Sequence, residues 1–252
     1  MNILGLDTSS KRLCLGIMNY KGKIVEYNVN SGIRCTELLL PTIKKALRQI
    51  KLSLNEVDYF AIGLGPGSFT GLRIGLATIK GFAQALGTPI IGLPSLDILA
   101  SNDLSQGKSI ICPLIDAKRN LLFTAFYEVS LNNKLKRKSP YLLINIEDLL
   151  NRLKEPHKLV TFLGNGLNFY QHRLNQKFKN SVFFNEHNWY PKGRNLIKLT
   201  LDLIDKGRFT PLDKSKRQDK RRYLTGFSDV KRIKPIYLYP KECQITNAKT
   251  SK

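Results

Sequence analysis

The sequence predicts an α/β fold in which one plan, βββαβα, is used twice. Three observations carry this. The order of strand-like and helix-like runs over residues 2–86 recurs over 110–205. Each copy's first strand closes on an acidic residue, Asp7 and Asp116. In each copy the fourth strand runs into a glycine turn and then a helix, at 63–75 and at Gly164-Asn165-Gly166. A duplicated α/β domain with a cleft between its halves follows.

In the first copy, Asn2 to Asp7 is an apolar strand and Thr8-Ser9-Ser10 a turn. Leu13 to Asn19 and Ile24 to Val29 are two further strands, joined by Lys21-Gly22-Lys23. Glu37 to Gln49 is a helix, with Leu39, Leu40, Ile43, Leu47 and Ile50 three or four residues apart on one broad face. Pro41 lies early enough in it to be tolerated. Residues 57–62 are β-prone and apolar, and a helix follows the glycine turn over 70–86.

The second copy begins with Ile110 to Ile115 and Leu121 to Glu128, with a third strand from Tyr141 to Ile144. Asn145-Ile146-Glu147-Asp148 resembles a capping box opening a helix to Lys154. Lys158 to Leu163 is a strand and Leu167 to Gln176 a helix. A short strand (181–184) and a helix (193–205) complete it. The expected organisation is therefore an N-terminal half over 1–105, a C-terminal half over 106–206 and a basic extension over 207–252, partly disordered.

Composition narrows the class. The 252 residues are 42% hydrophobic and 9% aromatic, enough for a substantial core. No apolar run approaches the roughly 18 residues of a membrane span, and the start MNILGLDTSS lacks a basic n-region and cleavage site. Cys14, Cys35, Cys112 and Cys243 are scattered without CxxC spacing. A cytoplasmic protein with reduced thiols is expected. The net charge of +22 suits a polyanionic partner, and equally suits a lysine-rich composition, since 27 of the 41 cations are lysine. Six of the nine residues from Lys214 to Arg222 are cationic.

The stretch GLGPGSFTGLRIG brings bare backbone N–H groups to a helix start, where an anion can bind. It is no phosphate loop of the GxxxxGK[ST] kind, and Gly71 falls one residue late for a dinucleotide fingerprint. A tight turn with close packing is the favoured reading, with Ser68 or Thr70 as the cap. Ser68 and Cys35 have no recognisable base nearby, and GPGSFTG is not a nucleophile elbow. The histidines, His157, His172 and His187, are too far apart for a helical metal pair, so no metal and no cofactor are expected.

Several motifs occur in one order: ILGLDTSSKRLCLGI, GPGSFTGLRIG, TPIIGLPSLDILA, DAKRN at 116–120, GNG at 164–166 and PIYLYP near the end. In this the chain resembles the TsaB (YeaZ) family over residues 1 to about 206 and 235–240, with GPGSFTGLRIG the specific element. The resemblance implies the duplicated fold of actin, Hsp70 and sugar kinases (the ASKHA fold). It implies a chain that does no chemistry itself. Such a chain pairs with TsaD, the subunit that transfers threonylcarbamoyl to the adenosine beside the anticodon of certain tRNAs. It also implies association with the ATPase TsaE, contact with tRNA through the complex, and a homodimer when alone. One departure stands out. Relatives usually show His-Ser-Glu at the first helix, where this chain has Cys35-Thr36-Glu37; Thr36 keeps a capping hydroxyl.

Three candidate sites follow. Gly71, Gly75 and Thr78 are spaced for one helix face, and Ala77, Gly81 and Ala85 for another. Interior glycines cost about 0.5–1 kcal/mol each relative to alanine, which suggests close backbone approach, either to the sheet beneath or to a partner helix. Leu39, Ile43, Leu47, Gly71, Arg73, Gly75 and Thr78 are the expected partner interface. Asp7, Thr8, Ser9, Asp116, Gly164, Asn165 and Gly166 form the set where a nucleotide would lie in this architecture. The simpler reading makes both aspartates strand-ending hydrogen-bonding residues. Lys216, Arg217, Lys220, Arg221 and Arg222 are the expected tRNA contacts, with Tyr223 and Phe227 as aromatic support. A small-metabolite kinase or hydrolase of the same fold is the alternative.

Overall fold

The computed structural model describes residues 1–102, 109–130, 135–153, 159–208 and 233–239. The first half opens with β1 (Ile3–Asp7), β2 (Arg12–Met18) and β3 (Ile24–Asn30). Helix α1 (Cys35–Ile50), β4 (Tyr59–Gly63) and α2 (Phe69–Leu86) follow, then β5 (Ile90–Leu93) and α3 (Ser95–Ala100). The sheet runs β3-β2-β1-β4-β5, antiparallel among the first three strands and parallel from β1 through β4 to β5.

The second half repeats this order with β6 (Ile110–Lys118), β7 (Leu121–Thr124) and β10 (Leu142–Asn145) as the antiparallel part. Helix α4 (Ile146–Arg152), β11 (Val160–Leu163), α5 (Leu167–Lys177) and β12 (Ser181–Phe183) complete it, giving β10-β7-β6-β11-β12. The strand expected over 121–128 is broken in two. Residues Tyr127–Val129 form β8, which pairs with the start of β6 and with β9 (Leu135–Arg137).

Each sheet is covered on both faces. Leu4, Leu6, Leu13 and Ile17 pack under Leu39, Ile43 and Leu47 of α1 and Leu76 and Ile79 of α2. On the opposite face, Ile3, Tyr59 and Ile91 meet Leu196 and Ile197 of α6 (Gly193–Leu203). This corrects the expected boundary: α6, read with the second half, packs on β1, β2 and β3 of the first. The cause is a reciprocal glycine contact. A Cβ at Gly16 would stand 2.4 Å from the Gly193 carbonyl oxygen, and one at Gly193 would stand 2.3 Å from that of Leu15. A single turn of π-helix (Ile204–Arg208) follows α6.

Segment 90–100, part of the motif order but without a predicted element, joins the halves. Leu96 and Leu99 of α3 pack with Ile111, Phe123 and Tyr127 of the second half. Asp97 accepts hydrogen bonds from Tyr127 (2.6 Å) and Tyr141 (2.9 Å). Residues 233–239 tie the halves again. Ile233 sits in the first half's core, while Leu238 and Tyr239 pack against the second half. Among the described residues no helix is long and apolar enough to cross a membrane.

Candidate functional site

A cleft of about 610 Å³ opens between the halves. The turn after β1, the glycine loop leading into α2, the β6–β7 hairpin and residues 236–239 build it, together with Gly32 and Asn165.

The turn after β1 is fixed by its aspartate. Asp7 is 0% exposed; its Oδ1 accepts from the Ser9 N–H (2.8 Å) and hydroxyl (2.6 Å), and its Oδ2 accepts from the Ser95 hydroxyl (2.6 Å). Burial pushes its pKa up, and those hydrogen bonds hold part of the rise back. Asp7 therefore ties β1, its own turn and the start of α3, and is not among the residues lining the cleft.

Thr8 is likewise spent on structure. Its hydroxyl donates to the Gly71 carbonyl at 2.7 Å. A Cβ at Gly71 would stand 2.1 Å from the Thr8 carbonyl oxygen, and one at Gly75 2.2 Å from Thr8 Oγ1. The two glycines thus let α2 lie directly on the β1 turn. Ser68 is the N-cap, accepting from the Gly71 N–H at 3.2 Å. Helix α1 differs: it starts at Cys35 with no side-chain cap, and Thr36 lies exposed in its first turn rather than capping. Cys35 is buried, and burial pushes its thiol pKa up.

Of the seven residues expected around a nucleotide, Ser9, Asp116 and Asn165 line the cleft. Asn165 Oδ1 accepts from the Asp116 N–H at 3.0 Å, and the Asp116 carboxylate binds the Lys118 N–H (2.8 Å) and Nζ (2.5 Å). Asp7, Thr8, Gly164 and Gly166 are outside the lining; Gly164 and Gly166 pack on the backbone and side chain of Leu114.

The expected partner interface needs a larger correction. Leu39, Ile43 and Leu47 are 2%, 3% and 8% exposed and belong to the core. Gly71 and Gly75 are buried against Thr8, and Thr78 is half-buried with its hydroxyl on the Ile74 carbonyl. Only Arg73 is exposed, its guanidinium 3.8 Å from the Phe69 ring centroid. The outward face of the two helices carries Leu40 (51% exposed), Pro41, Phe69 (40%), Ala77, Gly81 and Ala85. A Cβ at Gly81 would meet nothing within 4 Å. Leu40, expected on one broad face with Leu39, Ile43 and Leu47, is instead turned outward, and Ala77-Gly81-Ala85 lies off the line of Gly71 and Gly75.

Along the sequence, residues 235–239 are no more than a brief apolar return. In the structure the Ile236 N–H donates to the Leu64 carbonyl at 2.7 Å, and Tyr237 packs on Phe69 with centroids 5.3 Å apart. The Tyr239 hydroxyl donates to the Ala117 carbonyl, and its ring meets Phe123 edge-on. The alternation of apolar residues around Pro235 was the available sign. Lys216, Arg217, Lys220, Arg221, Arg222, Tyr223 and Phe227 lie outside the described residues.

Comparison with known proteins gives the following. Residues 33–190 match the family model described as TsaD, tRNA N6-adenosine threonylcarbamoyltransferase. The tRNA threonylcarbamoyladenosine biosynthesis protein TsaB of Buchnera aphidicola subsp. Schizaphis graminum is 30% identical over 203 residues, covering 77% of this chain and 90% of that protein. TsaB of Bacillus subtilis is 29% identical over 178 residues, 69% of this chain and 75% of the relative. Among solved structures, YeaZ from Pseudomonas aeruginosa superposes with a TM-score of 0.73 at 21% identity, covering 94% of this chain and 99% of its own, a likeness of fold.

Proposed function

This chain belongs to the TsaB (YeaZ) family of tRNA threonylcarbamoyladenosine biosynthesis proteins, and from that premise we propose that it acts there as a non-catalytic subunit. It docks on a TsaD-like partner through the outward face of α1 and α2.

One observation carries the reading: Leu40 stands 51% exposed beside a helix whose outward positions 77, 81 and 85 are all alanine or glycine. Leaving an apolar side chain in water forgoes roughly 1.5–3 kcal/mol that burial would return. Small residues at four-residue spacing let a second helix approach closely. A related subunit presenting its own helix pair would complete a four-helix contact. A TsaE-like ATPase joins that pair, and the free chain self-associates through the same face.

The non-catalytic role draws support from the hydroxyls and carboxylates nearest the cleft. Asp7 is fully engaged by Ser9 and Ser95, and Ser68 caps α2. A kinase of this architecture requires a carboxylate open to its phosphates; Asp7 is closed to them, and Asp116, the carboxylate that lines the cleft, is paired with Lys118. Mixing the purified chain with a TsaD homologue and following co-elution in size-exclusion chromatography tests the pairing. A shared peak that Leu40→Asp abolishes is expected. Independent elution at micromolar concentrations would overturn it.

A further inference from the structure

The helix pair that turns Leu40 outward is one-sided in charge. Helix α1 contains Lys44, Lys45 and Arg48 against Glu37, and α2 contains Arg73 and Lys80 and no carboxylate. Five cations against one anion leave the two helices at +4, and Lys51 adds a further cation at the C-cap of α1. Glu37 is already paired with Arg34 at 2.9 Å. The carboxylates that follow α1 in the chain are turned to backbone. Glu56 accepts from the Ser53 N–H (2.8 Å) and Asp58 from the Asn2 N–H (2.8 Å).

The placement of these cations matters as much as their number. Lys44 and Arg48 follow Leu40 at i+4 and i+8, so they continue its line along the outward face. Both are exposed, and neither has an ion-pair partner among the described residues. Lys45 leaves that line and lies over Tyr27 of β3, its Nζ 5.5 Å from the ring centroid. Arg73 stands on Phe69 in the N-terminal half of α2, where the helix dipole gives a cation no support. Helix stability accounts for Arg48, in the last turn of α1, and not for Lys44 or Arg73.

A two-fold contact between two copies sets the same patch against itself. With one carboxylate on the two helices, every such arrangement brings cations to cations. Like charges across an interface reject a partner, and opposite charges steer one in. Leu40 and the small residues 77, 81 and 85 supply adhesion to any apolar helix face. The cations beside them supply choice.

We propose that Lys44, Arg48 and Arg73 select, for this face, a different chain whose matching helices are acidic, and keep self-association weak. This selectivity rests on the docking reading above. An RNA backbone also attracts cations, but here they stand among Leu40, Pro41 and the alanines of α2, an apolar centre with a charged rim that suits a protein surface.

The test uses the full chain, with self-association read by sedimentation and binding to the TsaD homologue by surface plasmon resonance. Each is measured at about 0.01 M and about 0.15 M salt, between which the screening length falls from about 30 to about 8 Å. Added salt is expected to tighten self-association and to weaken the pairing of unlike chains. At low salt, Lys44→Glu with Arg48→Glu tightens self-association about tenfold and weakens binding to the homologue by about as much. Lys177→Glu with Lys179→Glu, at the end of α5 in the second half, makes the same charge change away from this face and leaves both affinities in place. Both associations weakening alike, neither responding, or a loss confined to binding of a labelled single-stranded RNA overturns the proposal. Unchanged melting temperatures show that the variants fold, and the opposite salt trends of the unaltered chain stand without them. Absence of pairing with the homologue at either salt counts against the functional reading; the salt trend of self-association then decides whether charge holds the copies apart.

Discussion

The Thr8 hydroxyl donates to the carbonyl of Gly71 at 2.7 Å, and thereby seats the start of α2 on the turn that closes β1. This hydrogen bond explains the glycines of GPGSFTGLRIG. They serve the inside of the molecule, where Gly75 leaves room for the same hydroxyl.

Gly75→Leu is therefore expected to destabilise the monomer. Its Cβ alone would sit 2.2 Å from Thr8 Oγ1, and the loop cannot retreat without breaking the hydrogen bond to Gly71. Overpacking of this kind costs about 1–3 kcal/mol. Thermal melting of the free chain measures it. An unchanged melting temperature would show that Thr8 yields.

Gly81→Leu should behave oppositely. Nothing lies within 4 Å of a Cβ there, and replacing an interior helical glycine gains about 0.5–1 kcal/mol of helix stability from the backbone. The melting temperature holds or rises, while the dissociation constant for a TsaD-like partner increases by tenfold or more. Unaltered affinity, read by surface plasmon resonance, would move the interface elsewhere.

Asp7 gives a pH signature. Its folded pKa lies above the ordinary 3.8, chiefly through burial. The folded state then binds more protons than the unfolded state between 3.8 and the raised value. This contribution to stability is fully present below that window and declines as pH rises through it. Asp7→Asn removes the decline. Comparing urea midpoints of the two proteins as the pH is raised from the ordinary aspartate range reveals the missing slope. The variant should still support tRNA modification if it folds, since Asp7 faces its own turn; complete loss in a folded protein would favour the kinase or hydrolase alternative.

The basic run answers to salt. Replacing Lys216, Arg217, Lys220, Arg221 and Arg222 by Gln is expected to weaken tRNA binding by the assembled complex. The slope of log affinity against log salt should flatten by about 0.7 for each single-strand phosphate that the variant no longer neutralises. A slope that stays the same would leave these residues as a solvated lysine-rich segment.

Periodicity and turn chemistry alone determined the repeated βββαβα plan, because both are local: a strand or an amphipathic helix is written in the residues that form it. They also marked Asp7 as the residue that closes β1 and offered Ser68, beside Thr70, as the cap of α2, whereas β6 runs past Asp116 to Lys118. Tertiary structure decided which face of each helix is inside. Leu39 and Leu40 are adjacent and identical, yet one is 2% and the other 51% exposed. Helical rotation separates them, and only the sheet beneath settles which side is buried. The placement of α6 on the first sheet, through Gly16 and Gly193, was equally beyond a reading along the chain. So was the path of residues 233–239 between the halves. Such contacts join residues far apart in sequence, and local patterning carries no record of which distant partner a glycine or tyrosine will meet.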